Sequence, residues 1–350
     1  MPTILTLYNH KGGVSKTTTS FNLAHALVEH CGVRVLLVDA DPQCNLTELA
    51  LAPLLSRFED EMEETGALPD LPGSSVLDAL RPRFNGDRPD VDIASVDLVE
   101  VTESGDLSLF RGDVDLNEAE DRLSHAHSQR VTDEMHQRRT YVAVHDMLRR
   151  LATDRGFDFV IVDVGPSAGA LTRSFFLACD RFLVPVAPDR FNYQAIGSLS
   201  RILSKWIREH SIVVDDFRAM GLNISAGEPV LHGLVMQRYQ RYAREPKRSF
   251  KIWIERIAER AKQELLPTLV STAGTEKILS PATRDDPTIA SIPDFAGLGP
   301  MMLAVGRPVW GITKKEADFR GVVWGQTAER LEDFKATHYD LARSLVDATA

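Results

Sequence analysis

Short apolar runs alternate along the chain with longer segments in which apolar residues recur at helical spacing. Runs that are rich in β-branched and aromatic residues, and too apolar to face water, are typical of strands buried in a parallel sheet. Their alternation with amphipathic helices predicts an α/β fold of three layers: a mostly parallel, twisted sheet with helices on both faces. Strands are predicted at 3–8, 33–38, 157–162, 182–186 and 231–236.

The alternation weakens between residues 52 and 140. An acidic stretch is followed there by Pro and Gly, and then by a segment rich in His, Gln and Arg. We interpret residues 52–140 as a variable insertion of helices and loops on the rim of a single domain that spans residues 1–350.

Residues 9–19 join the first strand to a helix predicted from Lys16 to about His30, and they have the composition of a phosphate loop. Glycines let backbone N–H groups curl around phosphates, a lysine reaches the β and γ oxygens, and a hydroxyl holds Mg²⁺. Lys16 and Thr17 fit the last two roles. A second lysine, Lys11, lies five positions before Lys16, next to the pair Gly12 and Gly13.

Carboxylates follow two of the predicted strands. Asp39 and Asp41 end the run at 33–38 just before Pro42, and Asp163 ends the run at 157–162. The carboxyl ends of parallel strands border the crevice in which phosphate ligands bind. In a continuing strand Asp39 and Asp41 would point to opposite faces, so the turn at Pro42 is expected to re-aim Asp41. A solvated turn with an Asp helix cap is the alternative.

Together these segments resemble the deviant Walker A ATPases of the ParA and MinD group, and most closely the ParA partition ATPases. The loop matches the pattern KGGxxKT, in which Lys11 is the signature lysine. Residues 35–47 resemble the second motif, residues 157–169 the Walker B segment and residues 183–188 the strand after it. Less specific likeness extends over residues 107–124, 291–295 and 306–308.

Three positions depart from the family pattern. Ser15 and Cys44 stand where glycine is commonest, and Gly165 stands where proline is usual. A left-handed backbone at Ser15 would cost about 1 kcal/mol or more, which weakens nucleotide binding without abolishing it. Cys44 is expected to be a small packed side chain and not a nucleophile, because no histidine motif accompanies it.

The resemblance implies ATP and Mg²⁺ as cofactors and assigns roles to residues of this chain. Nucleotide would be bound by Lys11, Gly12, Gly13, Val14, Ser15, Lys16, Thr17, Thr18 and Gln237. Mg²⁺ would be held by Thr17, with Asp39 and Asp163 in its outer shell. The catalytic residues would be Lys16, Asp41, which positions the attacking water, and Lys11, which reaches the phosphates of a second subunit.

The resemblance also implies a P-loop ATPase that forms a homodimer on ATP and hydrolyses it slowly until a ParB-like activator or cargo adaptor acts. Such a dimer would bind DNA without sequence preference and drive the partition or positioning of a plasmid, a chromosome or another cargo. It would be cytoplasmic, and associated with the nucleoid while ATP is bound.

Residues 237–262 form a basic segment that carries nine positive and three negative residues, in a chain whose net charge is −10 at pH 7. Family members bind DNA through basic residues near this region, so a local patch would have to overcome the negative bulk of the protein. The predicted contacts are Arg238, Arg241, Arg244, Lys247 and Arg248. An amphipathic helix with a charged outer face is the alternative.

Other functions remain open at this stage. An ATP-gated protein switch without DNA binding and a metabolic ligase on the same scaffold are both compatible with the motifs. A membrane switch would need a basic tail, whereas residues 328–350 carry five acidic and three basic residues, and no apolar run of about 18 residues is present. The three scattered cysteines, Cys31, Cys44 and Cys179, indicate neither a disulfide framework nor a paired metal site.

Overall fold

The computed structural model describes residues 1–67, 69–242, 245–317 and 321–349. The strands are β1 (Thr3–Leu7), β2 (Val35–Ala40), β3 (Val99–Glu100), β4 (Leu107–Phe110), β5 (Phe159–Val164), β6 (Arg181–Val186), β7 (Val230–Tyr239), β8 (Arg241–Tyr242), β9 (Glu245–Pro246) and β10 (Thr288–Pro293). The α-helices are α1 (Lys16–Cys31), α2 (Asn45–Ala50), α3 (Ala52–Thr65), α4 (Val76–Asn85), α5 (Glu118–Ser128), α6 (Met135–Arg155), α7 (Ala170–Ala178), α8 (Arg190–Ala219), α9 (Arg248–Arg260), α10 (Leu266–Ala273), α11 (Pro281–Asp285), α12 (Leu298–Val305), α13 (Lys314–Ala317) and α14 (Gly321–Asp347).

The main sheet has the strand order β10-β7-β6-β1-β5-β2-β4-β3. All neighbouring strands in it run parallel except β3, which pairs antiparallel with β4. Helices cover both faces, so the predicted three-layer α/β fold is confirmed. Because β1 lies at the middle of the sheet, the loop that follows it reaches the centre of the edge formed by the carboxyl ends of the strands.

Two hydrophobic cores lie on opposite faces of the sheet. Successive residues of a strand point to opposite faces, and accordingly Ile4 belongs to one core and Leu5 to the other. The first core is completed by α4 to α10 and the second by α1, α2, α12 and α14. Four apolar residues near the end of the chain are buried in the second core, as their helical spacing predicts: Leu331, Phe334, Leu341 and Leu345.

The segment at 52–140 was expected to contain helices and loops alone, but it also contributes two strands to the main sheet. Its strand β4 pairs in register with β2, from Val35 opposite Leu107 to Val38 opposite Phe110, and β3 closes that edge of the sheet. All four residues of β4 are buried. A run this short, buried on both faces, gives no alternating pattern by which to recognise a strand. The edge strand β10 was missed as well, since most of its residues are only half-buried.

No helix within the described residues is long and apolar enough to cross a membrane.

Candidate nucleotide-binding site

The phosphate loop connects β1 to α1 and is tied to the neighbouring strand. The side chain of Asn9 donates a hydrogen bond to the carbonyl of Pro185 in β6 at 2.8 Å and accepts one from the backbone N–H of Lys11 at 3.0 Å. Gly13 and Ser15 both have left-handed backbone conformations, with φ values of 70° and 60°. The family's preference for glycine at position 15 therefore has a backbone cause, and Ser15 adopts the strained conformation at a cost of about 1 kcal/mol or more.

Lys16 lies inside the loop and is only 7% exposed. Its ammonium group is 3.5 Å from the carbonyl oxygen of Asn9. Burial lowers the pKa of Lys16 below its usual range, although Asp163 and Asp41 oppose that shift. A buried ammonium with three donors and one distant carbonyl acceptor is suited to an anionic ligand.

Asp39 and Asp163 lie side by side at the ends of β2 and β5, where they are register partners. Asp163 accepts a 2.6 Å hydrogen bond from the hydroxyl of Thr17, and Asp39 accepts bonds of 2.7 Å and 2.8 Å from the hydroxyl and backbone N–H of Thr47. Burial raises the pKa of Asp39 to about 6, and burial together with the nearby Asp39 raises the pKa of Asp163 to about 7. A bound cation would stabilise the ionised forms of these two neighbouring carboxylates, because it offsets the repulsion between them.

Mg²⁺ fits this donor set. A hydroxyl and two carboxylates are the hard oxygen donors that Mg²⁺ prefers, and Mg²⁺ usually retains several waters and binds substrate phosphates as well. Within the described part of the chain, no group of three or more His, Cys, Asp or Glu side chains could hold a metal by itself. Thr17, Asp39 and Asp163 would thus hold the ion together with phosphate oxygens and water.

Asp41 is brought to the same crevice by the turn that follows β2. It is 7% exposed, and its Oδ1 accepts a 3.0 Å hydrogen bond from the N–H of Gln43. A Cβ at Gly165 would lie 3.2 Å from that oxygen, so the carboxylate packs against the backbone that follows β5. Cys44, in this turn, has a φ of 54°, which explains why glycine is usual there. Burial raises the pKa of the Cys44 thiol to about 12, consistent with a packed side chain and not a nucleophile.

Sequence reasoning missed a relay that reaches Asp39 from the segment at 52–140. The backbone N–H of Gly112 donates to the hydroxyl of Thr47 at 2.8 Å, and that hydroxyl donates to Asp39. A Cβ at Gly112 would lie 3.0 Å from the carboxylate of Asp39, so any side chain at this position would crowd the carboxylate. The same segment supplies Glu120, which accepts bonds of 2.6 Å and 2.8 Å from the backbone N–H groups of Ala170 and Leu171 at the start of α7.

Lys11 does not enter its own loop. Its ammonium group lies 5.9 Å from the centre of the Phe191 ring at the start of α8. Phe191 is 67% exposed, so this lysine is held on an open surface beside the phosphate loop.

A cavity of about 240 Å³ adjoins the loop at the ends of β7 and β10. Ser15, Thr18 and Gln237 line it on the loop side, and Phe295 and Met302 on the other. The buried amide of Gln237 also donates a hydrogen bond to the hydroxyl of Thr19. Gln237 was predicted to bind nucleotide, whereas Phe295 and Met302 were missed because they follow β10, a strand that the sequence pattern did not reveal.

The structure describes the side chains of three of the five predicted DNA contacts, which are Arg238, Lys247 and Arg248. Arg238 turns towards the phosphate loop and donates a hydrogen bond to the carbonyl of Gly13. Lys247 and Arg248 are exposed at the start of α9. Arg244 and the side chain of Arg241 lie outside the described residues. The segment also has the features of the alternative, an amphipathic helix with a charged outer face, since Ile257, Ala261 and Leu265 are buried.

Known proteins match both the sequence and the fold. A family model described as an AAA domain matches residues 2–214. The chromosome partitioning protein ParA of Caulobacter vibrioides is 30% identical over 203 residues, 58% of this chain and 62% of that protein. The chain therefore covers less than two thirds of the length of this relative.

Two solved structures share the fold. The crystal structure of a protein from Corynebacterium diphtheriae matches with a TM-score of 0.61 at 23% identity, over 87% of this chain and 97% of that one. The structure of McdA from Cyanothece in complex with ATP matches with a TM-score of 0.57 at 17% identity, over 96% of each chain. Since the family model covers more than half of the sequence, the chain belongs to that family, the ParA-type P-loop ATPases.

Proposed function

We propose that this protein is a Mg²⁺-dependent ATPase that forms a homodimer on ATP, binds DNA as the dimer and moves or positions a cargo. A partner protein of the ParB type would trigger hydrolysis. The name of the Caulobacter relative, a chromosome partitioning protein, supports partition as the process.

The different positions of the two loop lysines carry this proposal. Lys16 is buried in its own phosphate site, whereas Lys11 rests on the exposed ring of Phe191. Because the Lys11 ammonium lies beside its own phosphate site and not inside it, this group is available to a second subunit. In the proposed dimer each Lys11 leaves Phe191 and reaches the phosphates bound by its partner. ATP then favours the dimer because only the dimer makes this contact, and hydrolysis releases it.

Within each subunit, Lys16 and the backbone of residues 12–18 bind the phosphates, and Thr17, Asp39 and Asp163 hold the metal. When bound, Mg²⁺ neutralises phosphate charge that develops during transfer. Asp41 orients the attacking water, and its bond from the N–H of Gln43 fixes the direction of the carboxylate. Phosphoryl transfer depends on in-line placement of the water more than on a strong base.

DNA binding is proposed for the exposed start of α9. Lys247, Arg248 and Lys251 are all exposed there. In a monomer, the net charge of −10 opposes so small a patch. A dimer presents two patches, and roughly six phosphate contacts would make binding fall about a thousandfold between 50 and 200 mM salt.

Retention of duplex DNA by the protein with ATP and Mg²⁺, measured at several salt concentrations, tests this proposal. The expected result is retention that requires ATP, ignores DNA sequence and falls steeply with salt. The double variant Lys247→Glu/Arg248→Glu reverses two charges of the patch. A plot of log DNA affinity against log salt concentration should then become less steep, by about 0.9 for each phosphate that the variant no longer neutralises. Arg208→Glu, an exposed change on α8 outside the patch, is the matched control.

A dimer that forms on ATP but never retains DNA would favour an ATP-gated switch acting on a protein scaffold. One observation supports that second candidate: Arg238, one of the five predicted DNA contacts, is engaged with the phosphate loop.

A further inference from the structure

The end of β7 contains a bulge, and Arg238 is its extra residue. In the ladder with β10, Gln237 pairs with Ile292 and Tyr239 pairs with Pro293, which leaves no partner for the residue between them. Arg238 has a φ of 57°, a left-handed conformation that glycine adopts freely and arginine does not. Bulges of this kind commonly lie next to active sites, where they re-aim a side chain.

The re-aimed side chain of Arg238 lies against the phosphate loop. Its Nη1 donates a hydrogen bond to the carbonyl oxygen of Gly13. A Cβ at Gly13 would lie only 3.3 Å from that nitrogen, so the glycine allows the guanidinium to approach. Arg238 also lines the 240 Å³ cavity beside the loop, together with Ser15 and Thr18.

The bond to Gly13 fixes more than one atom. The C=O of Gly13 and the N–H of Val14 belong to one planar trans peptide, so they point in opposite directions. While Arg238 holds the carbonyl on its own side, the N–H of Val14 is held facing the other way. Val14 is one of the residues whose backbone is assigned to the phosphates.

We propose that Arg238 is a positioning residue of the nucleotide site: its guanidinium holds the peptide between Gly13 and Val14 in the orientation that binds phosphate. This inference rests on the proposed nucleotide site. A loop that is already oriented loses less conformational freedom when it binds, so its affinity for phosphate is higher. The effect should depend on the phosphates and not on the base.

The decisive variant is Arg238→Gly, because glycine suits the left-handed backbone while the guanidinium is lost. Its thermal unfolding midpoint should equal or exceed that of the wild type. By calorimetric titration, its affinities for ADP and for inorganic tripolyphosphate should both fall by the same factor, roughly tenfold. Arg238→Lys, which keeps one donor, should recover part of the loss. Arg208→Gly serves as the control for a glycine replacing an exposed arginine.

Three results would overturn the inference: wild-type affinity for both ligands in Arg238→Gly, loss of affinity for ADP but not for tripolyphosphate, or loss of DNA retention at saturating ATP with nucleotide affinity intact. The second would make Arg238 a base contact, and the third a DNA contact. Failure of the wild type itself to bind ADP would instead overturn the proposed function.

Discussion

The proposed nucleotide site has an inner and an outer half, and the two are built differently. The inner half consists of Lys16, Asp39, Asp41 and Asp163, each at most 7% exposed and each placed by a strand end or a helix start. The outer half contains Lys11 and Arg238, whose cationic groups rest on an exposed ring and on a loop carbonyl.

This contrast separates chemistry from assembly. Polar groups of the inner half are buried before any ligand arrives, so they need no large rearrangement to act. The cation of Lys11 in the outer half has a weak resting contact that another molecule can replace. Changes to the inner half should therefore abolish a function outright, whereas loss of Lys11 from the outer half should affect only the steps that need a second subunit.

Replacement of the inner lysine should have the largest effect. Lys16→Ala removes the charge that is proposed to meet the β and γ phosphates in a desolvated loop, and nucleotide affinity should fall on the order of 100-fold or more. Calorimetric titration with ADP measures this loss. Lys205→Ala, an exposed change on α8, controls for loss of a positive charge. An affinity for ADP within a factor of three of wild type would remove Lys16 from the site.

Asp41→Ala tests the inner half without removing binding. If Asp41 only orients water, turnover should fall by about 100-fold or more. The dimer formed on ATP should persist, because the phosphate and metal contacts remain. Phosphate release and light scattering with ATP measure the two properties. Wild-type turnover in this variant would transfer the role to another group, and Asp39 would be the next candidate.

Lys11→Ala tests the outer half, and its effect should be confined to assembly. The variant should bind ATP with affinity close to that of wild type as a monomer but should fail to dimerise. Light scattering with ATP and Mg²⁺ distinguishes monomer from dimer. Equal dimer content in Lys11→Ala and wild type would refute the contact between subunits. The outer half could then no longer be assigned to assembly.

The smallest effect is expected at Ser15, which lies between the halves. Ser15→Gly relieves the left-handed strain at φ 60° and should raise the free energy of unfolding by about 1 kcal/mol. Denaturant unfolding measures the change. Ala336→Gly, at an exposed position within α14, should lower the free energy of unfolding by roughly 0.5 to 1 kcal/mol. A loss of stability in Ser15→Gly would mean that the serine makes compensating interactions.

The two halves were also unequally predictable from the sequence. Lys16, Asp39 and Asp163 could be placed because each follows directly from a local pattern: a strand, then a loop or a carboxylate. The left-handed backbone at Ser15 was anticipated from the missing glycine.

The contacts that join distant segments could not be predicted. The relay from Gly112 depends on β4 pairing with β2, and nothing in the four residues of β4 specifies that partner. Arg238 was grouped with the DNA contacts because its charge could be read from the sequence, whereas the bulge that turns it inward could not. The position of Phe295 and Met302 beside the loop likewise depends on where β10 joins the sheet.

The position of β4 determines how the chain could be shortened. Excision of residues 52–140 would turn β2 from an interior strand into an edge strand, with one row of unpaired N–H and C=O groups facing water. The apolar side chains of β2 are almost wholly buried, so this new edge would be hydrophobic, which favours strand-to-strand association between molecules. A trimmed variant intended for crystallisation or fusion should therefore retain β3 and β4 and remove only the exposed part of α3.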